Sequence, residues 1–152
     1  MIPATRGHAL PAMSAQAVAQ VRELESITAQ CPQVAVQTRH LIHAGMYART
    51  IRVPAGMVLT GVLIRVPTIV IVSGDCTAYV GDEFVELRGY HVLAGSAGRK
   101  QVFVTHEETD ITMLFPTDAR TVEEAEDEFT DEPDLLMSRH DDKRNQVYIT
   151  RN

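Results

Sequence analysis

Short apolar runs, rich in β-branched residues and separated by Gly or Pro, fill residues 34–117 and constrain the fold more than any other feature. Within Thr50–Val53 polar and apolar side chains alternate, as in a strand with one buried face. Strands are predicted over Val34–His43, Tyr47–Val53, Val58–Val66, Thr68–Ser73, Thr77–Val80, Glu83–Leu87, Tyr90–Leu93, Gln101–Thr105 and Asp110–Phe115. Eight or nine short strands at this spacing indicate a sandwich or a closed barrel, so the predicted fold class is mainly β.

Residues 1–33 are predicted to form an extended arm followed by a helix over 14–30. Ser14 can cap this helix, and Pro32 ends it. Its narrow apolar stripe consists of Val18, Val21, Leu24 and Ile27 or Thr28. A helix of this length is not stable alone, so we expect it to pack on its own barrel or on a neighbouring subunit.

Residues 118–152 form a third part, an acidic helical tail. Thr121 and Glu124 stand in the spacing of a capping box, which predicts a helix over about 121–129. Its apolar face is made of Val122, Ala125 and Phe129. The tail has too little apolar material for a core of its own, so it either hangs free or binds a partner.

The net charge of −6 is divided unevenly along the chain. Residues 121–142 carry ten acidic side chains and one basic one, a net −9, so the remaining residues sum to +3. Twelve of the fourteen cationic side chains are Arg, which makes forked contacts with carboxylates and suits protein interfaces. The acidic balance argues against a nucleic-acid partner.

The chain of 152 residues is long enough for one domain of ordinary size. No apolar run approaches the roughly 18 residues of a membrane-spanning helix. Cys31 and Cys76 form neither a disulfide framework nor a CxxC zinc motif, and the N-terminus lacks the pattern of a secretory signal. We therefore expect a protein that is neither secreted nor transmembrane.

The stretch Met46–Phe115 resembles the cupins, whose double-stranded β-helix forms a jelly-roll barrel. The resemblance lies in Tyr47–Gly56 with its Val-Pro-Ala-Gly ending, in Ile71-Val-Ser-Gly74, and in the spacing of the later glycines up to Gly98. It implies a cupin-like jelly roll over residues 34–117, between an N-terminal arm with its helix and a C-terminal acidic helical tail.

The metal motifs of the cupin family can be carried over position by position. The two His of the first motif fall on Val62 and Ile64, the following Glu falls near Thr68, and the His of the second motif falls on Gln101. All four usual ligands are absent, and three of the replacements bind divalent cations poorly. The sequence therefore predicts a barrel without a metal or another cofactor. His40 and His43 do not replace the ligands, because positions three apart on a strand face opposite ways.

Residues 40–140, including Thr121-Val-Glu-Glu-Ala-Glu-Asp-Glu-Phe129, are similar to small cupin-like proteins of tailed bacteriophages. This resemblance implies a phage or prophage origin and a place in the virion or the host cytoplasm. Our first hypothesis is a non-enzymatic, oligomeric structural protein, such as a capsid decoration, head-completion or tail component. Its partners would be further copies of itself and other phage structural proteins. The interaction tail would act through Glu123, Glu124, Phe129, Leu135 and Leu136.

Two alternatives remain open. The first is an intracellular binder of an anionic small molecule, with a ligand site at the barrel mouth. Its candidate residues are Arg65, Arg99, Lys100 and Gln101, because Arg and Lys side chains attract phosphates and carboxylates. The second alternative is a metal-independent isomerase or lyase that modifies sugars.

Overall fold

The computed structural model describes residues 9–140 and 142–150. The strands are β1 (Ala9–Leu10), β2 (Gln37–His43), β3 (Met46–Val53), β4 (Val58–Thr60), β5 (Thr68–Val80), β6 (Glu83–Gly95), β7 (Val102–Thr105), β8 (Thr109–Pro116) and β9 (Asn145–Ile149). The helices are α1 (Ala15–Thr28) and α2 (Val122–Phe129), followed by short 3-10 turns at Pro133–Leu135, Met137–Arg139 and Asp142–Arg144. None of the helices in these ranges is long and apolar enough to cross a membrane.

The strands form two sheets that share β5 and β6. The larger sheet has the order β1-β6-β5-β8-β3-β2-β9, and the smaller sheet contains β4, β7 and the other halves of β5 and β6. All pairs are antiparallel except β1 with β6 and β9 with β2. This arrangement confirms the predicted mainly β class.

The crossing between the sheets lies at a glycine pair. The sequence predicted separate strands on either side of Gly74 and of Gly89, but each pair of runs is one continuous strand that bends there. Gly74 has φ +150°, and a Cβ at this position would lie 2.5 Å from Thr109 Oγ1. Only glycine fits this close approach, so its sequence signal marks a bend and not a strand end.

Inward-facing side chains form two apolar clusters. The main core lies between the sheets and includes Val53, Val72, Cys76, Leu87, Leu93 and Phe103. The second cluster closes one end of the barrel and joins Ile42, Tyr47, Val62 and Phe115 to Ala125, Phe129 and Leu136 of the tail. We call this end the barrel mouth.

Helix α1 packs on the outer face of the smaller sheet of its own barrel. Ser14 caps it as predicted, since its Oγ accepts from the Ala17 N–H at 3.0 Å. Ala17 and Val21 are buried, but Ile27 is 58% exposed. The predicted apolar stripe of α1 is therefore only partly buried, since Ile27 in its C-terminal turn faces solvent.

The tail packs on the barrel of its own chain. Helix α2 begins after Thr121, whose Oγ1 accepts from the Glu124 N–H at 3.2 Å, so the predicted cap is confirmed. Glu124 reaches back to the Arg120 N–H at 3.0 Å instead of completing the capping box. Beyond α2 the chain returns along the barrel and adds β9 to the edge of β2.

Candidate functional site

Helix α2 fills the barrel mouth. The Phe129 side chain is 1% exposed. Its ring stacks on Tyr47 with centroids 6.2 Å apart and meets Phe115 edge-on at 6.1 Å. Such aromatic pairs are favourable beyond the area that they bury. The tail thus supplies the apolar lid of the mouth.

A buried carboxylate lies beside this lid. Glu126 is 1% exposed, and its Oε2 accepts from Arg49 Nη1 at 3.1 Å and from Ser138 Oγ at 2.6 Å. Its Oε1 accepts from Arg139 Nε at 2.9 Å. Arg49 comes from the inner side of β3, and the other groups come from the tail. Burying a charge costs several kcal/mol unless it is paired, and this carboxylate has donors on both oxygens.

A histidine continues the polar network toward β9. Asn145 Nδ2 donates to the Ser138 carbonyl at 2.7 Å, which orients the amide so that its Oδ1 accepts from His40 Nε2 at 3.0 Å. The other ring nitrogen, Nδ1, then accepts from Tyr47 OH at 2.7 Å. Burial lowers the pKa of His40 below 6.5, and the Arg49 cation lowers it further. The site therefore holds a neutral imidazole in one tautomer.

Burial also raises the pKa of Tyr47 to about 12, so its phenol keeps its proton and can donate to His40. The network contains an acid–base pair in hydrogen-bond contact. Every member is buried beneath the tail or hydrogen-bonded to it.

The side chains of the four predicted ligand residues reach separate partners. Arg65 donates to the Glu128 carbonyl at 2.9 Å and to the Asp127 carbonyl, and it pairs with Asp131. Arg65 therefore holds the C-terminal end of α2 against the barrel.

Arg99 is buried at 2% exposure and donates to the Ser96 carbonyl at 2.7 Å and to Thr68 Oγ1 at 2.6 Å. Burial lowers its pKa to about 10. Within residues 9–140 and 142–150, no carboxylate forms an ion pair with this guanidinium.

Lys100 is fully buried and joins three parts of the chain. Its Nζ lies 3.2 Å from Glu25 Oε2 on α1 and 3.6 Å from Glu132 Oε1 in the tail. Burial of Glu132 acts to raise its pKa, but bonds from Arg22 and the Leu63 N–H, together with Lys100, hold that pKa below its usual value. We call this group the Lys100 junction.

Gln101 points toward the N-terminal segment, where its Nε2 lies 3.3 Å from Met13 Sδ. Its Oε1 is buried, and no described group bonds to it. Backbone pairing of Ile64 with Arg99 brings Arg65 and Lys100 close in the fold, but their side chains diverge.

The four positions that carry metal ligands in cupins lie in two different environments, one apolar and one polar. Val62 and Ile64 pack in the mouth cluster, whereas Thr68 bonds to Arg99 and Gln101 faces Met13. Among the residues that the structure describes, no group of three His, Cys, Asp or Glu side chains is placed to hold a metal ion.

The predicted interaction tail divides into buried and exposed residues. Phe129 and Leu136 are buried in the barrel mouth, while Leu135 is 55% exposed and Glu123 and Glu124 face solvent. Two of the three apolar members, Phe129 and Leu136, therefore pack on the chain's own barrel, and Leu135 does not.

The two cysteines differ in their surroundings. Cys76 lies in the main core, and burial together with Asp75 raises the pKa of its thiol to about 11. Cys31 is exposed near the end of α1, and neither thiol is in a disulfide.

Sequence reasoning missed Arg49, Glu126 and the role of His40, although signals for them exist. Arg49 stands in the inward phase of β3, two residues after Tyr47, where a charge requires a buried partner. Glu126 lies one turn after Val122 on the apolar face of α2. Arg49 and Glu126 can each be recognised as a charged residue within an apolar face. The sequence pattern does not identify the group that pairs with either charge.

Comparisons with known proteins concern the barrel. No family model and no curated protein matches the sequence. A cupin superfamily protein of Desulfitobacterium hafniense DCB-2 is similar in structure, with 13% identity and a TM-score of 0.48 over 59% of this chain and 84% of that one. A cupin-2 domain protein of Shewanella frigidimarina has 12% identity and a TM-score of 0.42 over 62% and 91%. KdgF from Halomonas sp. has 17% identity and a TM-score of 0.46 over 57% and 85%. Structural similarity at these identities and TM-scores gives no information about the activity of this protein.

Proposed function

We propose that this protein is a non-enzymatic, oligomeric structural protein that works through its outer surface as a virion-associated component of a tailed bacteriophage. The observation that supports it most is the filled barrel mouth. Phe129 and Glu126 of the chain's own tail occupy the place where a ligand would enter a barrel of this kind. A barrel closed in this way leaves its outside as the working surface.

The virion assignment is supported by the resemblance of residues 40–140 to small phage proteins. Quantitative mass spectrometry of purified particles, from a phage or induced prophage that carries this sequence, tests it. We expect the chain at a fixed ratio to a head or tail protein. Finding it in the lysate but not in the particles would overturn the virion assignment.

A second candidate is a binder of small carboxylates, which the Arg49–Glu126 pair favours. Arg49 already holds a carboxylate inside the barrel, with Tyr47 and His40 beside it. A thermal-shift screen of carboxylates and sugar phosphates on the full chain tests this function. A shift that Arg49→Gln removes would support it, and the absence of any shift would count against it.

A further inference from the structure

The outer face of the larger sheet presents apolar side chains to solvent. Strand register places six outward side chains in one row across the sheet: Tyr148, Leu41, Ala48, Leu114, Ile69 and Ala94. The neighbouring row is apolar only on β5 and β6, and Tyr90 lies beyond it. The members of that neighbouring row are Gln146, Arg39, Thr50, Thr112, Ile71 and Val92. We call this surface the outer face.

Large side chains on the outer face are strongly exposed. The exposed fraction is 46% for Ile69, 50% for Val92 and 68% for Tyr90. The corresponding face of the smaller sheet carries α1, which buries Ala17 and Val21. The same barrel thus covers one sheet with its own helix and leaves the other without a described covering element.

The size of the outer face matches a specific interface. Six strands lie about 4.8 Å apart, and rows two residues apart are separated by about 6.8 Å. From Tyr148 to Ala94 and from Met46 to Arg52 the face therefore measures roughly 24 by 20 Å. Two such faces in contact would bury on the order of 1,000 Å², the lower bound for a stable protein interface.

The charges on the outer face favour a second copy over another partner. Arg52 lies in the row of Tyr90 and binds Asp110 at 3.0 Å, and Arg39 lies at the β2 end of the row of Ile71, with its guanidinium 5.0 Å from the Tyr148 ring centroid. The two central rows contain no acidic side chain, although the whole chain has a net charge of −6. Two copies would repel elsewhere but not here, and the two described arginines of the face already contact the Tyr148 ring and Asp110 instead of forming a free basic patch for nucleic acid or an acidic surface.

We infer that two copies of this chain pack by their outer faces around a two-fold axis, sheet against sheet, with Leu114 and Ile69 inside the contact. This inference rests on the oligomeric part of the proposed function and names its interface. A two-fold contact uses the same patch on both copies, and twisted sheets pack face to face about 10 Å apart.

Light scattering after size exclusion tests the inference on the full chain at tens of micromolar. We expect a particle of twice 16.8 kDa for the unmodified protein. Ile69→Lys should give the monomer mass and weaken association at least 100-fold, because each copy would bury a cation within the apolar row. The matched control is Phe84→Lys, since Phe84 is 61% exposed but lies on the smaller sheet.

The outcomes separate the interface from the function. If Ile69→Lys still forms a dimer, this interface is wrong but the protein does self-associate. The same conclusion follows if only the control, Phe84→Lys, dissociates the dimer. An unmodified chain that stays monomeric at 100 µM would overturn the inference and the oligomeric part of the proposal, while particle mass spectrometry would still test the virion part. If Ile69→Lys does not fold, Tyr90→Lys at the more exposed edge gives the same reading.

Discussion

Helices α1 and α2 both begin at a side-chain cap, but they differ in what they bury. Helix α1 has 14 residues and buries two small side chains on the outside of the smaller sheet. Helix α2 has eight residues and buries Val122, Ala125, Glu126 and Phe129. The shorter helix thus contributes more to the core, because it enters the barrel mouth whereas the longer one lies on a surface.

Helix α1 and the tail also contact each other. Glu25 of α1 and Glu132 of the tail both face Lys100, and Arg22 of α1 pairs with Glu132. Segments at opposite ends of the chain are therefore joined through one buried cation on the barrel. Helix α1, the tail and the barrel are therefore parts of a single folded unit.

The largest expected difference between the helices concerns apolar burial. Phe129→Ala should lower the free energy of unfolding by about 3–5 kcal/mol, because it opens a cavity among Tyr47 and Phe115. Val21→Ala on α1 should cost only about 1–2 kcal/mol, since it removes two carbon atoms beside solvent. Urea unfolding followed by circular dichroism measures both. If both variants lost the same free energy of unfolding, α2 would contribute no more than α1 to the stability of the fold.

A smaller effect is expected at the buried carboxylate. Glu126→Gln should cost about 2–3 kcal/mol, because Arg49 and Arg139 lose a charged acceptor. The control, Glu23→Gln on the exposed side of α1, should stay within about 0.5 kcal/mol. In a double-mutant cycle, Glu126→Gln and Arg49→Gln should couple by about 0.5–3 kcal/mol. Strict additivity would show that the pair does not fasten the tail.

The smallest effect is a pH dependence at the tail. His40 has a folded pKa below 6.5, so the fold favours its neutral form. Its stabilising contribution is complete above pH 6.5 and is lost as the pH falls from there to the folded pKa, because only the unfolded chain takes up the proton in that window. Each pKa unit of depression corresponds to about 1.4 kcal/mol.

Unfolding free energies measured between pH 8 and pH 5 check this. The loss on acidification should be smaller in His40→Gln than in the unmodified chain. His91→Gln, on the β5–β6 hairpin outside the network, should leave the loss unchanged. A His40→Gln variant as acid-sensitive as the parent would assign the pH dependence to other groups.

Local patterns predicted most of the barrel and both helix caps. The apolar alternation of residues 37–53 and the hydroxyls of Ser14 and Thr121 act over a few residues, so the sequence alone reveals them. The predicted ligand residues were chosen by charge, and charge does not say where a long side chain points. Arg65 therefore turned out to hold α2, and Lys100 to face two carboxylates.

The sequence by itself determined the mainly β class, the extent of α2 and the division into a mildly basic body and an acidic tail. Only the tertiary structure decided where that tail goes. Arg49 and Glu126 are 77 residues apart, and His40 and Asn145 are 105 apart. Pairs at such separations leave no local pattern, because they form only when the barrel has brought the inner side of β3 under α2.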